Sequence, residues 1–442
     1  MSRRVALATL GCRLNQVDTQ HIQAGLEARG FEAVPLDRPA DVVVINTCTV
    51  TARAEFSDRQ AIRRARRANP AARVVVTGCW AQTSPAEVAR VGGVDLVVGN
   101  ADKHRLPELV ETLLATPAAP PRVAVGDLAG AQLTASEVPV RVDGRSRAFV
   151  KVQDGCQHRC AFCIVPFARG ASRSLPPGAL LDEVRRRVAL GHPEVVLTGI
   201  DLGHYGADLV PRASLAELVR SLTAIDGLRW LRLSSLLPAY FSRELLDALG
   251  ESPIVAPHFH VPLQSGSDRV LRAMRRPYTV AMYRRVVERL TVAFPVLGLG
   301  ADILVGFPGE TEEDFAATVA LVEALPFTYL HVFPYSARRG TEAVGRPGRV
   351  DATTLSRRAA VVRAIGEAKA SAFRRSLAGR VEEVLVLERR ARPSGELVGL
   401  TGHYAEVRFA GPDTLTRRLV RVRITHDSGA ALRGRLEEER AA

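Results

Sequence analysis

The sequence contains little lysine, few aromatic residues and no long apolar run. Only 5% of its 442 residues are aromatic, and lysine occurs only as Lys103, Lys151 and Lys369. No apolar run approaches the roughly 20 residues of a membrane-crossing helix, which excludes a span of that kind. The apolar run over residues 5–10 is shorter than a signal-peptide core, so we expect a cytoplasmic protein. Apolar residues still make up 47% of the chain, which excludes disorder as its dominant state.

The charge is strongly basic. The chain has 60 Lys and Arg against 47 Asp and Glu, a formal net charge of +13. This excess favours a polyanionic partner, and nucleic acid is the leading candidate. A GC-rich genome would also produce an arginine-rich, lysine-poor chain. The charge alone therefore leaves the partner open.

Three of the six cysteines are packed into one short stretch. Cys156, Cys160 and Cys163, here called the loop triad, follow a predicted strand over 149–153 and a turn at 154–155. A cytoplasmic chain of this size has no need of disulfides. Three thiolates in one loop can hold three irons of a four-iron cluster and leave the fourth open. Zinc would favour four closed ligands and paired spacing.

This spacing, with Phe162 before the last cysteine, resembles the signature of the radical S-adenosylmethionine superfamily. The resemblance implies a four-iron cluster whose open iron chelates S-adenosylmethionine. An electron from the reduced cluster then cleaves the sulfonium to a 5′-deoxyadenosyl radical. The resemblance also implies a cofactor pocket lined by Phe162, Gly199, Ser234, Ser235, Gln264 and Ser265.

The region after the loop triad alternates between strand and helix patterns. Strands are predicted over 149–153, 194–198, 229–233, 258–263, 301–305 and 329–333. Helices are predicted over 179–190, 215–225, 243–249, 280–294 and 312–325. The pattern indicates a partial parallel (βα)6 barrel. Polar or glycine-rich strand ends lie where such barrels do their chemistry, although each one alone could be only a turn.

The other three cysteines each follow a predicted strand of a separate N-terminal domain. Strands are predicted over 5–10, 41–46, 73–77 and 96–98, and Cys12, Cys48 and Cys79, the N-terminal triad, follow the first three of them. The ends of parallel strands converge along one edge of an open sheet, so we expect the three thiols to meet. One such cysteine alone would more often be a buried structural thiol. Asn15 and Asn46 are interpreted mainly as turn-bonding residues, with loop support as the alternative.

Residues 10–15, 46–50 and 77–79 resemble the N-terminal domain of the methylthiotransferases, which are radical S-adenosylmethionine enzymes. The resemblance implies a second four-iron cluster held by the N-terminal triad, where sulfur is held and methylated. One S-adenosylmethionine donates the methyl group, and the radical from a second abstracts the C2 hydrogen of a modified adenine. The methylthio group then joins at C2. No protein acid or base is assigned, since the protein positions the reactants and excludes water.

Two further regions point to RNA. On the predicted helix after Cys48, Arg59, Arg63, Arg66 and Arg67 share one face, which suits phosphates, although a solvated arginine-rich face is the alternative. After residue 371, strands predicted over 381–387, 397–400, 405–409 and 419–424 indicate a small β-barrel. Residues 402–409 are similar to the core of the RNA-binding TRAM domain, and a plain packing role is the alternative.

These patterns divide the α/β chain into an open parallel N-terminal domain over 1–115, a linker over 116–144, a radical S-adenosylmethionine barrel over 145–370 and a TRAM-like barrel over 371–442. Residues 167–174, 198–206 and 331–336 resemble the methylthiotransferase subgroup that acts on N6-threonylcarbamoyladenosine beside the tRNA anticodon. That substrate is the prediction, with tRNA, an electron donor protein and a sulfur donor as partners. The alternatives are isopentenyladenosine in tRNA, a ribosomal-protein aspartate, or a non-catalytic iron–sulfur protein that binds RNA.

Overall fold

The computed structural model describes residues 3–437 apart from 118–119, 132 and 134–144. Much of the linker predicted over 116–144 therefore lies outside the described residues. Among the described residues, no helix is both long and apolar enough to span a membrane. The elements of the first third are β1 (Arg3–Thr9), α1 (Arg13–Glu27), β2 (Phe31–Val34), β3 (Val42–Thr47), α2 (Ala52–Ala68), β4 (Arg73–Gly78), α3 (Cys79–Thr83), α4 (Pro85–Ala89), β5 (Leu96–Val98), α5 (Leu106–Ala115) and β6 (Arg122–Ala124).

The rest of the chain continues the alternation and ends in strands. Its elements are β7 (Arg147–Lys151), β8 (Gln153–Asp154), α6 (Val165–Arg169), β9 (Arg173–Ser174), α7 (Pro177–Ala189), β10 (Glu194–Thr198), α8 (Leu215–Thr223), β11 (Trp230–Leu233), α9 (Arg243–Gly250), β12 (His258–His260), α10 (Asp268–Ala273), α11 (Val280–Ala293), β13 (Gly298–Val305), α12 (Glu312–Ala324), β14 (Tyr329–Pro334), α13 (Ala352–Ser376), β15 (Val381–Arg390), β16 (Leu397–Thr401), β17 (Glu406–Phe409), β18 (Leu419–Asp427) and β19 (Leu432–Leu436).

The first compact unit is built on a parallel sheet with the strand order β2-β1-β3-β4-β5-β6. Strand β3 is buried along its whole length, as a strand covered on both faces should be. Ile62 of α2 packs on one face, and Ile22 of α1 with Leu106 of α5 packs on the other. The sequence prediction missed both edge strands. Strand β6 lies inside the segment predicted as a linker. The strand is short and mostly exposed, so it lacks a buried apolar pattern.

The same unit also contains residues 153–175 and 336–344. Strands β8 and β9 pair antiparallel at the two sides of the loop triad. Helix α6 follows the loop and packs against α3, the short helix that begins at Cys79. The segment that carries the loop triad thus belongs with the N-terminal sheet, whereas the sequence-based boundaries assigned it to the barrel domain.

The second unit contains the predicted barrel strands. They form two parallel three-stranded sheets, β11-β10-β7 and β12-β13-β14, linked by a bridge between Leu231 and Val255. Strand β13 begins at Gly298, three residues before its predicted start at residue 301. Glycine is uncommon inside strands, so Gly298 and Gly300 concealed the start of this strand. A Cβ atom on Gly300 would lie 2.0 Å from the ring of Tyr329, so only glycine admits that ring.

Helix α13 leads into a closed barrel of order β15-β16-β17-β19-β18, in which every pair is antiparallel except β17–β19. Its apolar core includes Val407 and Phe409. The domain boundary predicted at 370/371 falls inside this helix. The loop before β17 contacts the N-terminal ends of the parallel strands. Arg232 donates to the Gly402 carbonyl at 2.8 Å, and Tyr404 stacks on His258 with ring centroids 4.4 Å apart. Part of the TRAM-like stretch therefore has the packing role that the sequence left open.

Candidate metal centres

The cysteines of the N-terminal triad lie at three neighbouring strand ends. Cys12 precedes α1, Cys48 follows β3, and Cys79 begins α3 directly after β4. Gly11 has a φ of +93°, and a Cβ atom there would lie 2.9 Å from Cys48 Sγ. Only glycine allows the loop of Cys12 to approach Cys48 so closely.

Two asparagines tie these loops together. The Asn15 amide donates to the carbonyls of Leu10 and Thr47 at 2.8 and 2.9 Å. The Asn46 amide donates to the Asn15 carbonyl at 2.9 Å and to the Thr19 hydroxyl at 3.0 Å. Most of these bonds join segments far apart in the chain, so both residues support the cysteine loops. The interpretation of them as mainly local turn residues was wrong.

The thiols of this triad affect one another electrostatically. Burial, and next the neighbouring Cys79, raise the pKa of the Cys48 thiol to about 12. Burial also raises the pKa of Cys79, and Cys12 raises it further, although the Arg169 guanidinium opposes both. None of the six cysteines, all of which lie in the described part of the chain, forms a disulfide. Cys48 and Cys79 are buried and Cys12 is exposed. A bound metal centre stabilises as thiolates the two buried thiols whose ionisation burial disfavours, so this donor set fits an iron–sulfur cluster.

The loop of Cys48 is held from both sides. Its backbone N–H donates to the Asp58 carboxylate at 3.1 Å, and burial raises the pKa of Asp58 to about 8. On the other side, Arg338 pairs with Glu55 and donates to the Thr49 hydroxyl at 2.8 Å. Arg338 comes from the segment 336–344, and the same segment bonds the loop triad through Ala343 N–H to the Ala161 carbonyl at 2.8 Å. Sequence reasoning found no signal for this segment.

The loop triad is shaped by a second set of backbone bonds. Cys156 N–H donates to the Gly170 carbonyl and Cys163 N–H donates to the Cys160 carbonyl, both at 3.0 Å. The Gln153 amide donates to the Gly155 carbonyl at 2.6 Å and to the Ser172 hydroxyl at 2.8 Å. Gly155 has a φ of +78°, and a Cβ atom there would lie 1.9 Å from the Ala171 carbonyl oxygen. Three thiols on a loop closed at both ends fit a cluster with one open iron.

Arg169 joins the two triads. Its guanidinium is 2% exposed and donates to both carboxylate oxygens of Asp154, at 2.9 and 2.8 Å, on the strand that enters the loop triad. The other nitrogen donates to Asn15 Oδ1 at 2.6 Å and to Asp18 Oδ2 at 3.2 Å, on the helix that follows Cys12. Although burial lowers the pKa of Arg169, Asp154 and then Cys79 raise it well above its usual range.

A second buried cation accompanies Arg169. Lys103 Nζ donates to Asp18 at 2.8 Å and approaches Asn46 Oδ1 at 3.5 Å. Burial lowers the pKa of Lys103, while Asp18 opposes that change. Neither cation was predicted as a site residue. Arg169 stood only in a stretch typical of the subgroup, and its partners are up to 154 residues away in the chain.

The residues predicted to line the cofactor pocket lie at different places. Gly199, Ser234 and Ser235 follow β10 and β11, and the buried Ser234 hydroxyl oxygen has no hydrogen-bond partner in the described part of the chain. Gln264 takes a φ of +66°. Ser265 is fully buried, and its hydroxyl accepts from the Ser267 N–H at 3.2 Å. Phe162 lies on the loop triad and is half-buried. The orphaned Ser234 oxygen is the feature here that fits a polar ligand.

Two of the four arginines on the predicted phosphate-binding face of α2 already bind other groups of the protein. Arg59 pairs with Glu87 at 3.3 Å and lies over the Trp80 ring. Arg66 donates to the Ala72 carbonyl at 2.8 Å. Arg63 and Arg67 are exposed. The exposed pair remains the predicted phosphate contact, whereas Arg59 and Arg66 already have partners within the protein.

Comparisons with known proteins agree with this arrangement. The model of the radical SAM superfamily matches residues 150–322, and the model described as "Uncharacterized protein family UPF0004" matches residues 4–99. A strand-and-helix barrel with this loop triad defines a radical S-adenosylmethionine enzyme. The chain is 37% identical over 424 residues, 95% of its length and 93% of the relative's, to the threonylcarbamoyladenosine tRNA methylthiotransferase MtaB of Bacillus subtilis (strain 168). The chain belongs to the methylthiotransferase family within that class.

Two other comparisons bear on substrate and fold. The chain is 36% identical over 441 residues, 99% of its length and 94% of the relative's, to the tRNA-2-methylthio-N(6)-dimethylallyladenosine synthase of Jannaschia sp. (strain CCS1). The solved radical S-adenosylmethionine methyltransferase TsrM from Kitasatospora setae, with cobalamin and a [4Fe-4S] cluster bound, matches with a TM-score of 0.57 and 21% identity. That match covers 76% of this chain and 75% of TsrM, and it shows the fold alone.

Proposed function

We propose that this chain attaches a methylthio group to C2 of N6-threonylcarbamoyladenosine beside the anticodon of tRNA. The observation that carries the proposal is the joining of two three-cysteine loops through Arg169, since this reaction needs two metal centres near each other. The similarity to the Bacillus subtilis relative over nearly the whole of both chains supports the same reaction. Cytoplasm, where tRNA is found, is the expected location.

The cofactors are S-adenosylmethionine and two four-iron clusters. Cys156, Cys160 and Cys163 would hold the cluster that binds S-adenosylmethionine, and Cys12, Cys48 and Cys79 would hold the other. When bound, the first cluster and S-adenosylmethionine supply a 5′-deoxyadenosyl radical, and the second centre supplies the methylthio group.

The protein's own residues bind, orient and neutralise charge. Arg169 and Lys103 place two buried cations beside the N-terminal triad and offset the negative charge of its thiolates. Ser234 Oγ is available to bind a polar group of S-adenosylmethionine. Arg63 and Arg67, with the small C-terminal barrel, are proposed to contact tRNA phosphates. An electron donor protein and a sulfur donor complete the reaction.

Nucleoside analysis tests this function. The chain is expressed in a bacterial host that makes N6-threonylcarbamoyladenosine but has lost its own enzyme for the methylthio derivative, and total tRNA is digested and analysed by mass spectrometry. The wild-type chain should restore the methylthio derivative, whereas Cys48→Ala and Cys160→Ala should not. Methylthiolation of dimethylallyladenosine instead would assign the activity of the Jannaschia relative. Unchanged nucleosides with the wild-type chain would exclude action on tRNA.

A further inference from the structure

The inner face of β14 carries two exposed side chains, His331 and Phe333. Leu330 packs against Gly366 of α13, so the alternate residues Tyr329, His331 and Phe333 point away from that helix and into the barrel. The exposed fractions are 55% for the His331 side chain and 42% for Phe333. An exposed imidazole beside an exposed aromatic ring on one inner wall combines the polar and apolar groups that ligand sites use.

A hydrogen-bonded chain fixes the orientation of His331. Its Nδ1 bonds Asp302 Oδ1 at 3.3 Å, and His260 Nε2 bonds the same oxygen at 3.1 Å. The other nitrogen of His260 bonds the Tyr329 hydroxyl at 3.1 Å. The Asp302 carboxylate therefore takes an N–H from each imidazole, and His331 Nε2 is the nitrogen that remains for a ligand.

The carboxylate behind His331 is ionised. Burial alone would raise the pKa of Asp302, but the hydrogen bonds from His260 and His331 lower it well below its usual range. A carboxylate bound at Nε2 would place His331 between two anionic oxygens, and an imidazole with a proton on each nitrogen donates to both.

Packed side chains cover the N-terminal ends of the barrel strands. At the N-terminal ends of the strands, Tyr404 stacks on His258, and a Cβ atom on Gly298 would lie 2.1 Å from the His403 carbonyl oxygen. The Arg232–Glu194 ion pair at 2.6 Å is fully buried there as well. Barrels of this kind bind ligands at the C-terminal ends of their strands, where Gly199 and Ser234 lie here, so we expect a ligand to enter at that end.

We propose that His331, oriented by Asp302 and His260, binds the carboxylate of the threonylcarbamoyl group of the substrate nucleoside, and that Phe333 stacks on its adenine ring. This inference rests on the proposed function and names the group that the enzyme recognises. The rings of His331 and Phe333 are 6.4 Å apart between centroids, which is close enough for a base on one and its N6 substituent on the other.

With this arrangement the site would distinguish N6-threonylcarbamoyladenosine from N6-dimethylallyladenosine. The threonylcarbamoyl group ends in a carboxylate that Nε2–H can bind, whereas a dimethylallyl group has no polar atom. Binding the dimethylallyl substituent would remove water from His331 Nε2 without replacing its hydrogen bond. A site built to bond a polar group rejects analogues that lack it far more strongly than an apolar pocket rejects an added group.

Two synthetic RNAs test the inference. Both are anticodon stem-loops, one carrying N6-threonylcarbamoyladenosine and the other its neutral primary amide, which keeps the shape and loses the charge. The measurements are the equilibrium dissociation constant for the chain without cofactors and kcat/KM for the reconstituted enzyme. The variants are His331→Gln and, as an exposed histidine far from this wall in sequence, His104→Gln.

The wild-type chain and His104→Gln should bind and convert the acid at least about tenfold better than the amide, the magnitude of one charged hydrogen bond. His331→Gln should lose that preference and treat the two RNAs alike. Equal treatment of both RNAs by the wild-type chain, or a preference that survives in His331→Gln, would overturn the inference. If the wild-type chain methylthiolates neither RNA, the proposed function fails. The binding constants then still show whether His331 binds the carboxylate.

Discussion

Arg169 donates to Asn15 Oδ1 across 2.6 Å, although the two residues are 154 positions apart. Arg169 stands six residues after Cys163, and Asn15 stands three residues after Cys12. One guanidinium therefore fixes the loop of one triad against the helix that follows the other. Contacts of this kind hold the two cysteine loops in place relative to each other.

Replacing Arg169 should damage both stability and metal binding. Arg169→Gln breaks the buried ion pairs of Arg169 with Asp154 and Asp18, although Asp18 keeps its pair with Lys103, and breaking a buried ion pair costs about 3–5 kcal/mol. We expect a loss of that size in the free energy of unfolding and a reduced iron content after reconstitution. Chemical denaturation and iron analysis measure both.

Arg185→Gln is the matched control for that experiment. Arg185 forms an exposed pair with Asp182 on α7, and such surface pairs contribute little. The control should keep its stability within about 0.5 kcal/mol and its full iron content. An Arg169→Gln chain as stable and as iron-rich as this control would show that Arg169 does not hold the two loops together.

Gly11→Ala should disrupt the N-terminal triad. The added methyl group would overlap Cys48, and the φ of +93° is unfavourable for alanine. Gly30→Ala has a similar φ of +82° but meets nothing within 4 Å, so it isolates the backbone cost from the contact with Cys48. Gly11→Ala should lose iron from that site by iron analysis, and Gly30→Ala should keep it; equal iron content in both would contradict the close approach.

The apo protein should lose stability as pH rises because of Asp58. Burial raises the pKa of this carboxyl from 3.8 to about 8, so the folded chain keeps a proton that the unfolded chain releases. Asp58 therefore costs stability progressively between about pH 4 and pH 8. Asp58→Asn should flatten this part of the pH profile in chemical denaturation, whereas Asp37→Asn, at an exposed site, should leave it unchanged. A profile with the same slope in all three proteins would exclude a raised Asp58 pKa.

Tyr404→Ala tests the packing role of the TRAM-like stretch. Tyr404 stacks on His258 and lies 5.3 Å from the Arg232 guanidinium, so removal of its ring should cost about 2 kcal/mol of unfolding free energy. Affinity for tRNA, measured by a binding titration, should stay within about twofold if the ring only packs. A large loss of affinity with no loss of stability would instead assign Tyr404 to RNA contact.

The sequence predicted most strands because their patterns are local. Strand β10 was predicted with its observed bounds. The spacing of the loop triad predicted one metal site, and the positions of the other three cysteines after strands predicted the second. What it missed depends on distant contacts. The glycines at the start of β13 resemble turn residues until Tyr329 is seen to fill the space beside Gly300. Likewise, no local pattern could indicate that Arg338 supports the loop of Cys48, 290 positions earlier in the sequence.

Iron content after anaerobic reconstitution tests the central claim most directly. Two separate three-cysteine sites predict about eight irons per wild-type chain and about four in each triple variant, with either the N-terminal triad or the loop triad changed to alanine. About four irons in the wild-type chain, all lost when one triad is changed and none lost when the other is, would contradict the presence of two metal centres.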